Sequence, residues 1–191
     1  MPAHYSLTET EDAVNRRLGS MPISREALVA VSNLHRAAAA VRQHLENSAL
    51  RVADLTWSAF VVLWVVWIWE EIETRHVAAE AGISKGTLTG IIKTLESRGL
   101  VRRRQHPDDG RLALLCLTPK GLALMERLFP AFNEEESFVV EALDGEEPAR
   151  LADTLRRIVT HLEEHGEERR AHLRAKTPLP PRKGGRRRTT T

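Results

Sequence analysis

Apolar residues recur at spacings of three and four along most of the chain, a period that predicts α-helices. The longest such pattern covers about residues 25–47, follows the N-cap residue Ser24 and ends at Asn47 and Ser48. The residues that recur at these spacings are Leu28, Val31, Leu34, His35, Ala38, Val41 and Leu45. This pattern predicts one long amphipathic helix near the start of the chain.

The residues before this helix carry a weaker signal. Thr8 and Glu11 have the spacing of a capping box, and Gly19 is a residue type that ends helices. We therefore predict a short helix within a loosely ordered arm over residues 1–23.

A second helix is predicted from the N-cap residue Thr56 to Trp69, and it contains all four tryptophans of the chain. It is apolar on every side, so it must be buried on every side. One small domain can hardly bury such a helix. We infer that other long helices, of this chain or of a partner chain, pack around it.

Two short helices follow, at 74–81 and about 84–98, with Gly82 in the turn and Gly99 at the end. Small or apolar residues fall where two steeply crossing helices would bury a seam. These are Val77, Ala78, Ala81, Ile83, Leu88, Ile91 and Leu95. The pattern predicts a helix-turn-helix.

A hairpin is predicted directly after it, with strands at 100–104 and 112–117 and a loop at 106–110. The two motifs together predict a winged helix, so the fold class is mainly α with a small β wing. In the second strand, Ala113, Leu115 and Leu117 are expected to face inward and Cys116 to be half exposed.

Two further helices complete the prediction. Thr118 caps the first, which has Pro119 at its first position, a kink at Pro130 and an end near Leu143. The second covers about residues 147–165. The Arg-, Pro- and Gly-rich segment that follows is expected to be disordered.

Composition excludes several classes of protein. Of 191 residues, 42% are hydrophobic and 28% are charged, which is typical of a globular protein. A single cysteine rules out an intrachain disulfide framework. The longest apolar run, from Phe60 to Trp69, is too short to cross a membrane, and the start of the chain lacks the pattern of a signal peptide. We expect a cytoplasmic protein without a membrane partner.

The net charge of +2 hides a strong segregation of charge. Residues 169–191 contain nine arginines and lysines and no acid, and residues 75–111 carry an excess of four positive charges. The rest of the chain is acidic. Such basic segments suit recognition of a polyanion, although a solvated charged surface would look the same.

The outward face of the helix at 84–98 carries short polar or basic residues that can approach DNA bases and phosphates in a major groove. These candidates are Ser84, Lys85, Gly86, Thr87, Thr89, Gly90 and Lys93. Each glycine lowers the stability of a helix by about 1 kcal/mol relative to alanine. Close approach of the helix backbone to DNA would explain why glycine is present at these positions. The alternative is a surface helix of poor propensity.

The hairpin offers a second contact with DNA. Arg102, Arg103 and Arg104 precede the loop, and Arg111 follows it, two residues after Asp109, which can orient its guanidinium. An arginine at a hairpin tip suits the narrow minor groove. The alternative is an ordinary charged hairpin.

Four segments of the chain resemble the MarR family of bacterial transcriptional regulators. They are Ser84-Lys-Gly-Thr-Leu-Thr-Gly-Ile-Ile-Lys-Thr-Leu-Glu96, Arg98-Gly-Leu-Val101, Asp109-Gly-Arg111 and Leu117-Thr-Pro-Lys-Gly121. The resemblance covers about residues 25–165. It implies a homodimer on double-stranded DNA with a pseudo-palindromic operator, a recognition helix at 84–98 and a wing arginine at 111. It also implies that a small aromatic or phenolic effector releases the protein from DNA, as is common for repressors of this type. No enzyme activity and no cofactor are expected.

The resemblance also implies a division of the chain in which the N- and C-terminal helices form a dimerisation region. The expected parts are a flexible arm at 1–23, a dimerisation helix at 24–55, the winged helix-turn-helix domain at 56–118, dimerisation helices at 119–168 and a basic disordered tail at 169–191. The tail, the tryptophan-rich helix and Gly90 depart from the common pattern of the family.

An effector site is predicted along one stripe of the tryptophan-rich helix. Trp57, Phe60 and Trp64, followed by Trp67, recur at helical spacing, and indole rings stack well on an aromatic ligand. His35 and Arg42 on the first long helix are candidate polar anchors. The alternative is a plain core stripe.

Two further chemistries remain as alternatives. His161 and His165 in His-x-x-Glu-His spacing could hold zinc, either in a zinc-responsive regulator or in a metal-dependent hydrolase. A hydrophilic helix end explains the same pattern, so no metal site is predicted.

Cys116 has no basic neighbour in sequence that would activate a thiolate for redox sensing. A basic architectural protein without a fixed DNA site is the third alternative function.

Overall fold

The computed structural model describes residues 5–105 and 112–176. Asp109 and Arg111, the wing loop and residues 177–191 lie outside these described residues. The helices are α1 Leu7–Leu18, α2 Arg25–Leu45, α3 Trp57–Trp69, α4 Thr74–Glu80, α5 Lys85–Ser97, α6 Pro119–Val140 and α7 Glu147–Lys176. The strands are β1 Glu71–Glu73, β2 Val101–Gln105 and β3 Ala113–Leu117. The chain divides into two compact units, residues 1–136 and 137–191.

Helix α1 has a capping box, but not at the predicted residues. The Ser6 hydroxyl accepts a hydrogen bond from the Glu9 N–H at 3.2 Å, and the Glu9 carboxylate accepts one from the Ser6 N–H at 2.7 Å. The predicted pair, Thr8 and Glu11, has the same spacing. Glu11 instead accepts a hydrogen bond from the Asn33 amide of α2 at 3.2 Å, so its carboxylate takes part in a tertiary contact and not in the cap. The predicted stop at Gly19 is confirmed.

The predicted end of α2 at Asn47 and Ser48 is wrong. The helix continues through a π-helical turn, Glu46–Leu50. Side chains of the two supposed terminators bond back to the helix, because the Asn47 amide donates to the Gln43 carbonyl at 2.9 Å and the Ser48 hydroxyl donates to the His44 carbonyl at 2.9 Å. Residue types that favour a helix end are therefore accommodated inside the helix.

The sheet has three antiparallel strands in the order β1-β3-β2, whereas only β2 and β3 were predicted. Strand β1 is too short to produce an alternating pattern in the sequence. It pairs Glu71 with Cys116. Cys116 is therefore buried, with 5% exposure, and not half exposed as predicted. This burial raises the pKa of its thiol, which disfavours a reactive thiolate.

Helix α3 supplies the centre of the core. Its buried residues are Phe60, Val62, Leu63, Val65 and Val66. Phe129 and Phe132 of α6 pack on its aromatic stripe, with 4.2 Å between the ring centroids of Phe60 and Phe132. This chain does not by itself bury the end of the helix, where Ile68 and Trp69 are 53% and 59% exposed.

The start of α6 confirms the predicted cap, since the Thr118 hydroxyl accepts a hydrogen bond from the Gly121 N–H at 3.0 Å. The helix continues through Pro130 and ends at Val140 instead of Leu143. No helix within residues 5–105 and 112–176 is long and apolar enough to span a membrane.

Helix α7 is longer than predicted and ends at Lys176 instead of near residue 165. The expectation of disorder from residue 169 is therefore wrong for the last part of this helix. Glu167 accepts hydrogen bonds from Arg174 and Arg170, and these bonds lower the pKa of its carboxyl group. The Glu167–Arg170 pair, at i,i+3 spacing, favours the helix in a segment whose composition alone suggested a coil.

Candidate nucleic-acid interface

A helix-turn-helix presents the candidate DNA-binding residues. Gly82 adopts φ +62° in the turn between α4 and α5, a conformation that favours glycine. The seam between the two helices buries Val77, Leu88 and Leu95 as predicted. It also buries Ile92 (2% exposed), whereas sequence reasoning had placed Ile91 there. Ile92 lies one turn after Leu88, so the seam follows the i, i+4 spacing.

The opposite face of α5 is open to solvent. All of the residues predicted to face DNA from this helix are exposed, namely Ser84, Lys85, Gly86, Thr87, Thr89, Gly90 and Lys93. At the start of the helix, the Ser84 hydroxyl accepts a hydrogen bond from the Thr87 N–H at 3.1 Å. Ser84 Oγ also lies 2.8 Å from Thr87 Oγ1, which fixes both hydroxyls where a phosphate would approach a helix N-terminus.

The two glycines of α5 are not required by packing. A Cβ added at Gly90 would meet no atom within 4 Å, and one added at Gly86 would only come within 3.9 Å of Ser84 Oγ. Since glycine weakens a helix by about 1 kcal/mol relative to alanine, its presence needs another reason. The open surface above both glycines leaves room for close approach by a ligand backbone.

The wing strand β2 carries three arginines, and two of them pair with acids. Arg103 Nε lies 3.3 Å from Glu96 Oε1, and Arg104 Nη1 lies 2.7 Å from Glu71 Oε1. Arg102 is exposed. Neither acidic partner was identified from sequence. Glu71 lies on the unpredicted strand β1, and Glu96 lies on α5, a separate element from the wing. The predicted pairing of Asp109 with Arg111 falls on residues outside the described part of the chain.

A basic cleft lies between α5 and the wing. Its volume is about 300 Å³, and its lining includes Arg75, Lys85 and Arg103. Arg75 was not among the predicted site residues, although it belongs to the positively charged stretch of the sequence. Its guanidinium Nε lies 2.8 Å from Glu73 Oε2. Two of these three cations, Arg75 and Arg103, pair with carboxylates, which offset part of the positive charge of the cleft. The charge that is left would suit a phosphate backbone.

The aromatic stripe of α3 packs against α6. Trp64 stacks on Phe129 with 4.8 Å between ring centroids, and Trp57 lies 6.5 Å from Phe132. Trp57 and Trp64 remain partly exposed, whereas Phe60 is buried. The stripe thus contributes to the core and also keeps partly accessible indole surfaces.

The candidate polar anchors on α2 differ in their surroundings. Arg42 Nη2 lies 3.6 Å from Glu46 Oε1, the atom that also accepts a hydrogen bond from the Trp57 N–H at 2.7 Å. Arg42 is therefore linked to the aromatic stripe through one carboxylate. His35 is exposed two turns earlier. The histidine that joins α2 to α6 is His44, a residue that sequence reasoning did not select.

His161 and His165 lie one turn apart on α7, with 5.0 Å between their ring centroids, and both are exposed. Within the described ranges, no group of three or more His, Cys, Asp or Glu side chains could hold a metal ion. The two histidines alone do not make up the ligand set of a structural zinc site.

Comparison with known proteins identifies this architecture. The model of the MarR family matches residues 55–112. An uncharacterised HTH-type transcriptional regulator of Bacillus subtilis, YwaE, is 32% identical over 162 residues, which cover 83% of this chain and 95% of that protein. The chain belongs to the MarR family. SarZ, an HTH-type transcriptional regulator of Staphylococcus saprophyticus, is 34% identical over 105 residues, which cover 53% of this chain and 72% of that protein.

Solved structures of the MarR family share the fold. A MarR mutant from E. coli in complex with operator DNA has a TM-score of 0.64 at 23% identity, with 70% of this chain and 95% of that chain covered. BpsR of Bordetella bronchiseptica, whose DNA binding is regulated by 6-hydroxynicotinic acid, has a TM-score of 0.63 at 25% identity, with 68% and 98% covered. The winged helix-turn-helix prediction is confirmed. The protein is a MarR-type DNA-binding transcriptional regulator, and its family consists of regulators and not enzymes.

Proposed function

We propose that this MarR-type protein is a homodimeric repressor that binds a pseudo-palindromic operator. Its two copies of α5 would enter successive major grooves about 34 Å apart, one turn of the double helix. The observation that carries the proposal is the exposed face of α5, where Gly90 has open space above it and Lys93 is exposed. Such a regulator would act in the bacterial cytoplasm, at the nucleoid.

The residues of α5 and the wing would have different roles. Side chains on the exposed face of α5 would read base edges, and the Ser84 end of the helix would hold a phosphate. Arg102 and Arg104 would contact the DNA backbone, and Arg111, oriented by Asp109, would enter the minor groove. Arg75 in the basic cleft would add attraction that does not depend on sequence.

Exposed apolar side chains support a second copy of the chain as the partner. On α2, Val29, Val31 and Leu34 are 43%, 55% and 37% exposed. On α7, Leu151, Ile158, Val159 and Leu162 are also exposed. Val31 and Leu34 share one face of α2, and Leu151, Ile158 and Leu162 share one face of α7, because they recur at helical spacing. Exposed apolar stripes of this kind favour association, and a twofold dimer would match the symmetry of a palindromic operator.

The dimer is tested by placing a charge on the apolar surface of α2. Val31→Glu should shift the protein to monomers in analytical ultracentrifugation and lower operator affinity by at least about tenfold. Val52→Glu is the matched control, because Val52 is 91% exposed beyond the end of α2. It should leave both properties unchanged. A wild-type protein that is monomeric at the concentrations where it binds DNA would overturn the proposal.

We further propose that an aromatic acid is the effector and that it binds beside Trp64. The partly exposed indole offers a stacking surface. Arg42, which shares the Glu46 carboxylate with the Trp57 backbone N–H, would offer a cation for the carboxylate of the ligand. The regulation of BpsR by an aromatic acid supports this class of ligand. Titration of aromatic acids should quench tryptophan fluorescence and weaken operator binding in parallel. The loss of both responses in Arg42→Ala, but not in Arg127→Ala, would support the site, whereas no response to a broad panel would refute it.

A further inference from the structure

Arg98, the residue that follows the recognition helix α5, joins this helix to the turn between α2 and α3. Its guanidinium donates to the Ala53 carbonyl at 2.9 Å and also to the Asp54 carbonyl. These acceptors are 45 and 44 residues earlier in the chain. The turn itself has a defined shape, since Asp54 adopts φ +50° and the Leu55 N–H bonds back to the Leu50 carbonyl at 3.0 Å.

The contact depends on the backbone of the turn and not on the carboxylate of Asp54. That carboxylate is 96% exposed, and its Oδ2 lies 3.8 Å from Arg98 Nη1, so the ion pair is solvated and contributes little. The Arg98 side chain is only 31% exposed. A planar guanidinium can donate to two carbonyls at once, which a lysine ammonium at the same place cannot do with the same geometry.

The end of α5 is also held from the other side. The Arg98 carbonyl accepts a hydrogen bond from Lys120 Nζ at 2.8 Å, and the Gly99 carbonyl accepts one from the Thr118 hydroxyl at 2.6 Å. The C-terminal end of the recognition helix is therefore fixed between the α2–α3 turn and the start of α6. Both contacts lie within the first compact unit.

We propose that Arg98 is a positioning residue that sets the orientation of the recognition helix relative to α2. Helix α5 has 13 residues, which at 1.5 Å per residue is about 20 Å. A tilt of about 10° at its fixed end would therefore move the Ser84 end by about 3 Å. In the proposed dimer, on which this inference rests, such a movement on both sides changes the half-site spacing that the protein accepts.

The test compares operators that differ only in spacing. Affinity is measured for an operator selected with the wild-type protein and for versions in which the half-sites are one base pair closer or farther apart. The wild-type protein should prefer the selected spacing by about tenfold. Arg98→Ala should reduce this preference at least about threefold, and Arg98→Lys should lie between the two. Asp54→Asn, which keeps both carbonyls, and Arg127→Ala, which removes an exposed arginine of α6, should behave like the wild type.

Each other outcome has one interpretation. If Arg98→Ala weakens binding equally at all three spacings, the residue stabilises the fold without positioning the helix, and the inference is wrong. If Asp54→Asn loses the preference as well, the carboxylate and not the carbonyl pair is responsible. If Arg98→Ala does not fold, the spacing preference of Arg98→Lys tests the inference instead. A reduced preference in that variant supports the inference, and an unchanged preference contradicts it. A wild-type protein that binds well but has no spacing preference overturns the proposed dimer itself.

Discussion

Arg104 Nη1 and Glu71 Oε1 lie 2.7 Å apart, although strand β3 separates the strands that carry these two residues. Both side chains are partly exposed, at 49% and 40%, so the ion pair is solvated. The pair stands on the wing that would face DNA. Any phosphate that binds this guanidinium must therefore compete with an internal carboxylate.

Removing that carboxylate should strengthen non-specific DNA binding. Glu71→Gln frees Arg104 for phosphate, so we expect a severalfold tighter complex with a random-sequence duplex and a steeper dependence on salt. Arg104→Ala should have the opposite effect and lower the salt slope by about one. Fluorescence anisotropy over a range of salt concentrations measures both. Glu80→Gln, on α4, removes the same charge elsewhere, and an equal effect there would show that net charge alone is responsible.

Gly90→Ala should separate the stability of the protein from its affinity for DNA. The new methyl group meets no atom within 4 Å in the free protein. The variant should therefore be more stable by about 0.5–1 kcal/mol, because alanine favours a helix. Its operator affinity should fall, since the methyl group occupies the surface that the DNA backbone approaches. Thermal unfolding and operator titration test the two parts, and unchanged affinity would contradict the role given to Gly90.

Gly121→Ala should have the opposite effect on stability. A Cβ at Gly121 would lie 2.0 Å from the Leu100 carbonyl oxygen, a contact that forces α6 away from the backbone just before β2. We expect a loss of about 1–3 kcal/mol or more in urea unfolding. Leu122→Ala changes the exposed neighbouring position and should cost much less. Equal losses in the two variants would mean that α6 does not approach Leu100 so closely.

Local chemistry explains which parts of the fold could be predicted from the sequence. The caps at Ser24, Thr56, Ser84 and Thr118 are all confirmed, and each hydroxyl accepts the hydrogen bond from a backbone N–H three residues later. Such bonds depend on neighbours in sequence and not on the rest of the fold. The positive φ of Gly82 was predictable for the same reason.

Contacts between distant residues explain the errors that concern the sheet. The burial of Cys116 depends on β1, which pairs Glu71 with Cys116. The capping box of α1 is local, since it joins Ser6 and Glu9, so its displacement from the predicted pair has no such cause. The partners of the wing arginines lie on two separate elements, so no sequence spacing reveals them. The roles of the predicted DNA and effector residues stay predictions, because they concern contacts with molecules outside this chain.

The basic C-terminal segment should add affinity without adding specificity. Deletion of residues 177–191 removes five arginines and lysines and leaves α7 complete. We expect weaker binding to random-sequence DNA and a flatter salt dependence, with the operator footprint unchanged. A version with these five residues changed to glutamine controls for chain length. Loss of the footprint would show that the segment takes part in sequence recognition.

The central claim is that two copies of α5, related by a twofold axis, read DNA together. Selection of bound sequences from a pool of random duplexes tests this claim most directly. Two inverted half-sites with centres about 10 base pairs apart should be enriched, and Lys93→Ala should lose the enrichment. Enrichment of a single asymmetric half-site, or of no sequence at all, would contradict the claim.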